Sequence, residues 1–87
     1  MNRLGVIGAG NMGAAIINGI NKSGMDIEVF AYDKFTEKLN TLPVTPCENE
    51  AAVVKQCKYI LLAVKPQMLG EVLDTIAAEV TPDTVFI

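Results

Sequence analysis

The chain has no histidine, no tryptophan and only two cysteines. Cys47 and Cys57 lie ten positions apart in a chain without histidine, so no metal site is expected, with a disulfide or a metal pair as the alternative reading. The expected state is two free thiols in a reducing cytosol. Without histidine, and with no convergent pair of acids, no general acid can be assigned and the catalytic residues stay unknown. Basic residues are sparse too: seven Lys and Arg against ten Asp and Glu give a net charge of −3. They form neither a stripe for nucleic acid nor a polybasic cluster for an anionic membrane. Long apolar runs are also missing. The longest, Tyr59 to Val64, falls far short of the roughly 20 residues that span a bilayer. Asn2 and Arg3 lead straight into an apolar strand pattern, unlike a signal peptide. A cytoplasmic protein is expected.

What is present is an apolar composition of 51% in 87 residues, enough for one small core. Arg3 to Ile7 reads as a strand buried on both faces. Asn11 to Lys22 changes to helical spacing, with Met12, Ile16, Ile17 and Ile20 on one stripe and Gly24 as its left-handed cap. Ile27 to Tyr32 is a second strand. Phe35, Leu39 and Leu42 predict a short helix over 35–42, stopped by Pro43. Val44 and Thr45 make a brief third strand, and Glu48 to Gln56 a helix. Lys58 to Val64 is a fourth strand. Pro66 opens a helix at the one place where its missing N–H costs nothing, with Met68, Leu69, Val72, Leu73, Ile76 and Val80 on its apolar face. Thr84 to Ile87 is a fifth strand. This alternation predicts an α/β fold, a Rossmann-type doubly wound parallel sheet of order 3-2-1-4-5. The final strand pattern has no turn or cap after it, so the chain is read as the N-terminal part of a longer protein.

Gly8-Ala9-Gly10-Asn11-Met12-Gly13 is a complete G-x-G-x-x-G placed directly after the first strand and opening the first helix. In that context Gly8 makes the tight turn and Gly10 lets a pyrophosphate approach the backbone. Gly13 lets the helix pack closely on the strand. The helix N-terminus then offers free N–H groups to phosphate. Asp33 stands 20 residues beyond Gly13 at the end of the second strand, where a ribose-binding acid belongs. A carboxylate there suits NAD and repels a 2′-phosphate, whereas Lys34 could neutralise one, with Thr36 adding a hydroxyl. The cofactor is therefore NAD(P)H with the choice open. Ala63, Val64, Lys65 and Pro66 close the fourth strand beside the crossing point of the sheet, facing the nicotinamide half.

"GVIGAGNMGAAIINGI" followed by "AVKPQ" resembles the cofactor domain of pyrroline-5-carboxylate reductase, along essentially the whole chain. The resemblance implies NAD(P)H-dependent reduction of 1-pyrroline-5-carboxylate to proline. Residues 1–87 would be the NAD(P)-binding domain, and the C-terminal helical domain that dimerises and supplies most of the substrate pocket is not in this sequence. It implies a homo-oligomer at full length and an inactive isolated domain. It places Gly8, Gly10, Asn11 and Met12 around the pyrophosphate and Asp33 and Lys34 at the adenosine ribose. Ala63, Val64, Lys65 and Pro66 fall at the nicotinamide ribose. An asparagine of the family falls at Glu50 here, with Asn49 adjacent as the candidate contact. The alternatives are another two-domain dehydrogenase, of the 3-hydroxyacid or deazaflavin-dependent NADP type, and a non-enzymatic NAD(H)-sensing module.

Overall fold

The computed structural model describes residues 2–87. Five parallel strands form one sheet in the order β3-β2-β1-β4-β5. They are β1 (Asn2–Ile7), β2 (Ile27–Tyr32), β3 (Thr45–Pro46), β4 (Tyr59–Leu62) and β5 (Val85–Phe86). The helices are α1 (Asn11–Ser23), α2 (Glu50–Gln56) and α3 (Pro66–Ile76), with 3₁₀ turns at Thr36–Leu39 and Ala77–Glu79. The expected strand order is the observed one.

Because side chains alternate along a strand, each central strand serves two cores. Val6, Val29 and Ala31 point to one face, where Ile17 of α1 and Leu39 complete a cluster. Ile7, Phe30 and Ile60 point to the other, against Val53, Val54 and Cys57 of the α2 segment and Val72 and Ile76 of α3. Helix α2 lies so close to β1 that a Cβ on Gly5 would stand 2.5 Å from Val53 Cγ1. That contact gives a reason for glycine inside a buried strand.

Four local expectations are corrected. Residues 35–42 form no α-helix: a single 3₁₀ turn, Thr36–Leu39, is followed by a further i→i+3 bond from Leu42 N to Leu39 O. Leu39 is the one buried side chain of that turn, so no apolar stripe is available to stabilise a longer helix. Met12 is 57% exposed, because the buried face of α1 is set by Gly13 and Ile17. Leu69 and Leu73 stand 37% and 40% exposed, and Val80 lies beyond α3, which ends at Ile76 and passes into the 3₁₀ turn, so Val72 and Ile76 are its inward residues. The third strand sits one residue later than expected, at Thr45–Pro46, and pairs with Phe30 and Ala31. Its position at the sheet edge tolerates the proline. The other boundaries differ by one or two residues at the ends.

Candidate functional site

At the carboxyl ends of β1 and β4 the chain leaves the sheet toward opposite faces, and the loops after these two strands meet. Gly8 turns there with φ +101°, a backbone conformation that L side chains rarely adopt. Its amide donates to Tyr32 O at 2.9 Å, and Ala63 N donates to Ile7 O at 2.8 Å. A Cβ on Gly8 would lie 2.6 Å from the carbonyl oxygen of Ala63, so conformation and space both require glycine. Gly13 is required for space alone: its Cβ would collide with the carbonyl oxygen of Gly8. These are the turn and close-approach roles expected of the first and third glycines.

Gly10 behaves differently. It caps α1 in an extended conformation (φ −71°, ψ −164°), and a Cβ there would meet nothing within 4 Å. No side chain caps the helix, and its first turn carries no acid. The first intrahelical bond runs from Ala14 N to Gly10 O at 2.8 Å, which leaves the amides of Asn11, Met12 and Gly13 without intrahelical acceptors. The fold therefore does not need glycine at position 10. Open space over free helix-start amides fits a pyrophosphate.

Asp33 follows β2 directly and is 9% exposed. Its Oδ2 accepts the amide of Ala9 at 2.7 Å, and its Oδ1 accepts the amide of Phe35 at 2.8 Å. The carboxylate thus ties the glycine loop to the turn after β2. Beside it, Lys34 and Lys38 hold their ammonium groups 5.5 and 5.1 Å from the centre of the half-exposed Phe35 ring.

A cavity of about 320 Å³ opens at this edge. Of the residues expected from sequence, it brings together Gly8, Gly10, Asp33, Lys34, Ala63, Val64 and Lys65. Ala9 is buried behind it as the donor to Asp33. Asn11 and Met12 lie exposed on the first turn of α1, outside the cavity lining. Pro66 is the first residue of α3. Asn49 does not line the cavity either. It is the N-cap of α2, its Oδ1 accepting Ala52 N at 2.8 Å, and the cavity is lined instead by Glu50. Thr36 is exposed in the 3₁₀ turn and also lies off the lining.

Sequence reading missed Phe35, Lys38 and Met68 as lining residues. Phe35 was placed in the face of a helix that does not form. Lys38 became visible only once the 3₁₀ turn brought it back over the ring at Phe35. The two cysteines are free and lie away from the cavity. Burial pushes both thiols up, Cys57 to about 11, with the neighbouring Cys47 raising it further.

A doubly wound parallel sheet with a glycine-rich strand-to-helix turn at its switch point defines a Rossmann-type domain. Residues 3–87 match the family described as NADP oxidoreductase, coenzyme F420-dependent, and the chain belongs to that family. It is 32% identical to a pyrroline-5-carboxylate reductase of Methanosarcina acetivorans, over 98% of this chain and 34% of that protein. It is 40% identical to a pyrroline-5-carboxylate reductase of Haemophilus influenzae, over 83% of this chain and 28% of that protein. Among solved structures it is similar to the NADP-bound pyrroline carboxylate reductase of Plasmodium falciparum. That match has a TM-score of 0.86 at 25% identity and covers 98% of this chain and 32% of that one. The chain spans about a third of the length of the curated relatives it matches.

Proposed function

We propose that this chain is the NAD(P)H-binding domain of a pyrroline-5-carboxylate reductase, which reduces 1-pyrroline-5-carboxylate to L-proline. The observation that carries the reading is the division of labour among the glycines. Gly8 and Gly13 are required by the fold, while a Cβ on Gly10 would enter open space above unpaired amides. A glycine that the protein does not need is explained by a ligand that does. The similarity to named reductases along almost the whole chain supports the choice of reaction.

When bound, the reduced nicotinamide supplies the hydride that the C=N bond receives. The chain's own residues bind and orient. Amides of Asn11, Met12 and Gly13 receive the pyrophosphate, aided by the partial positive charge of α1. Ala63, Val64, Lys65 and Pro66 border the nicotinamide ribose, with Pro66 and the Met68 N–H to Lys65 O bond (2.9 Å) holding that loop in place. Asp33, Lys34 and the cavity beside them take the adenosine end. The substrate pocket and the homo-oligomer belong to the longer polypeptide in this proposal.

The test is oxidation of NADPH and of NADH by the natural-length protein with 1-pyrroline-5-carboxylate, and separately with a 3-keto acid. Turnover with the cyclic imine is expected. Turnover with the keto acid alone would move the protein to the hydroxyacid dehydrogenases, and cofactor binding without either reaction would make it a sensing module.

A further inference from the structure

The cavity beside the glycine loop opens on the sheet face that carries α2 and α3. Ile7 and Val72 of its lining belong to the core cluster of that face, and Tyr32 and Val64 pack against it. Helix α1, with its free amides, packs on the other face through Ile17. A dinucleotide whose pyrophosphate rests on those amides therefore sends its adenosine end across the sheet edge into the cavity. With Met68 added, these side chains wall a slot of about 320 Å³. Apolar walls with few polar groups suit a flat base, and the polar groups decide which base.

Of the residues of α2, Glu50 alone lines the cavity; it is the first residue of the helix and is half-buried. Asn49 does not compete for the place, since its side chain caps the helix at Ala52 N. Among the described residues the ion pairs are Arg3 with Glu28 and Lys55 with Glu79. Lys34, Lys38 and Lys65 thus share the lining with Glu50 without pairing with it. A carboxylate beside apolar walls needs donors, because it can only accept. The family resemblance puts an asparagine at this position, and an amide both donates and accepts. Glutamate narrows that choice to a ligand edge made of donors. The exocyclic amine of adenine is such an edge. A purine with a carbonyl at the same ring position, such as hypoxanthine, would set oxygen against oxygen.

We infer that Glu50 reads the base of the dinucleotide, accepting the exocyclic amine of adenine and rejecting a purine that bears a carbonyl there. This rests on the proposed cofactor site and adds a determinant of base specificity to it. Glu50 acts on binding alone and serves NADH and NADPH equally, since both carry the same base.

Fluorescence titrations of the natural-length protein compare NADH with deamino-NADH, whose hypoxanthine carries a carbonyl in place of the amine, and NADPH with deamino-NADPH. The unaltered protein is expected to bind the amino form of each pair at least about tenfold more tightly. In Glu50→Gln the side-chain amide can accept from adenine or donate to hypoxanthine, so the ratio falls to within about threefold. Glu50→Ala loses the same discrimination by weakening the amino form. Both variants leave the Asn49 cap in place, and circular dichroism checks their fold. Equal affinity of the unaltered protein for both members of a pair would overturn the inference without any variant. An undiminished ratio in Glu50→Gln and Glu50→Ala would overturn it too. So would a change confined to the NADPH-to-NADH ratio, which would put Glu50 at the ribose. Failure of both NADH and NADPH to bind the unaltered protein would instead remove the proposed function, and this inference with it.

Discussion

Glycines 8 and 10 sit two residues apart and answer to different masters. Gly8 holds φ +101° with its Cα against the Ala63 carbonyl. Gly8→Ala is therefore expected to destabilise the fold by about 2 kcal/mol or more, read as a lower urea midpoint. Gly10 has an extended backbone and open space where a Cβ would go. Gly10→Val is expected to keep the thermal midpoint within a few degrees while abolishing NADPH binding, because the added methyls occupy the approach to the helix-start amides. Circular dichroism and a fluorescence titration on the same sample separate the two effects. Retained NADPH affinity in Gly10→Val would remove the cradle. The motif spacing reveals that three glycines matter; only their surroundings tell which one serves a ligand.

Among the elements, α2 is the shortest of the three α-helices and depends most on its ends. Asn49 supplies the N-cap through a 2.8 Å bond to Ala52 N, and Val53 and Val54 supply the buried face. Asn49→Ala is expected to cost about 1 kcal/mol in chemical denaturation, with Asn49→Asp restoring most of it. An asparagine beside a cofactor site and an asparagine capping a helix look alike in a sequence. Here the helix uses the side chain, and Glu50, one residue on, turns to the cavity. The failed helix at 35–42 has a similar cause. Its three apolar residues have helical spacing, but Asp33 accepts Phe35 N and sets a turn first, and Pro43 leaves no length for a second one. The turn that Asp33 makes with Phe35 and the single buried Leu39 together keep that segment short.

For the whole molecule, alkaline stability follows from the core under α2. Cys57 is 6% exposed, and its thiol is pushed up to about 11 from an ordinary 9.0, first by burial and then by Cys47, with Glu28 adding to the rise and Arg3 opposing it. The unfolded chain therefore releases this proton before the folded one does. Stability from this group is full below pH 9 and falls as pH rises toward about 11, by roughly 2–3 kcal/mol. Urea unfolding at about pH 8 and 10.5 checks this, with Cys57→Ala as the control that flattens the difference. An equal loss in Cys57→Ala would assign the alkaline effect to other groups.

Strand order, the two-sided cores and the switch point were legible because apolar β-runs separated by helical spacing allow few topologies. The glycine hexamer after β1 could likewise be placed without coordinates, since a strand-to-helix turn needs those residues at those intervals. What a polar side chain does depends on groups far along the chain, and spacing carries no record of them. Asp33 meets Ala9 across 24 positions, and Lys38 shares Phe35 with Lys34 because a 3₁₀ turn replaced a helix. The apolar pattern and the glycines determined the frame, being satisfied by burial and by local backbone geometry alone. Hydrogen-bond partners form only when distant segments meet, so the tertiary structure decided that the expected ribose acid is tied into the protein while Lys34, Lys38 and Lys65 line the cavity.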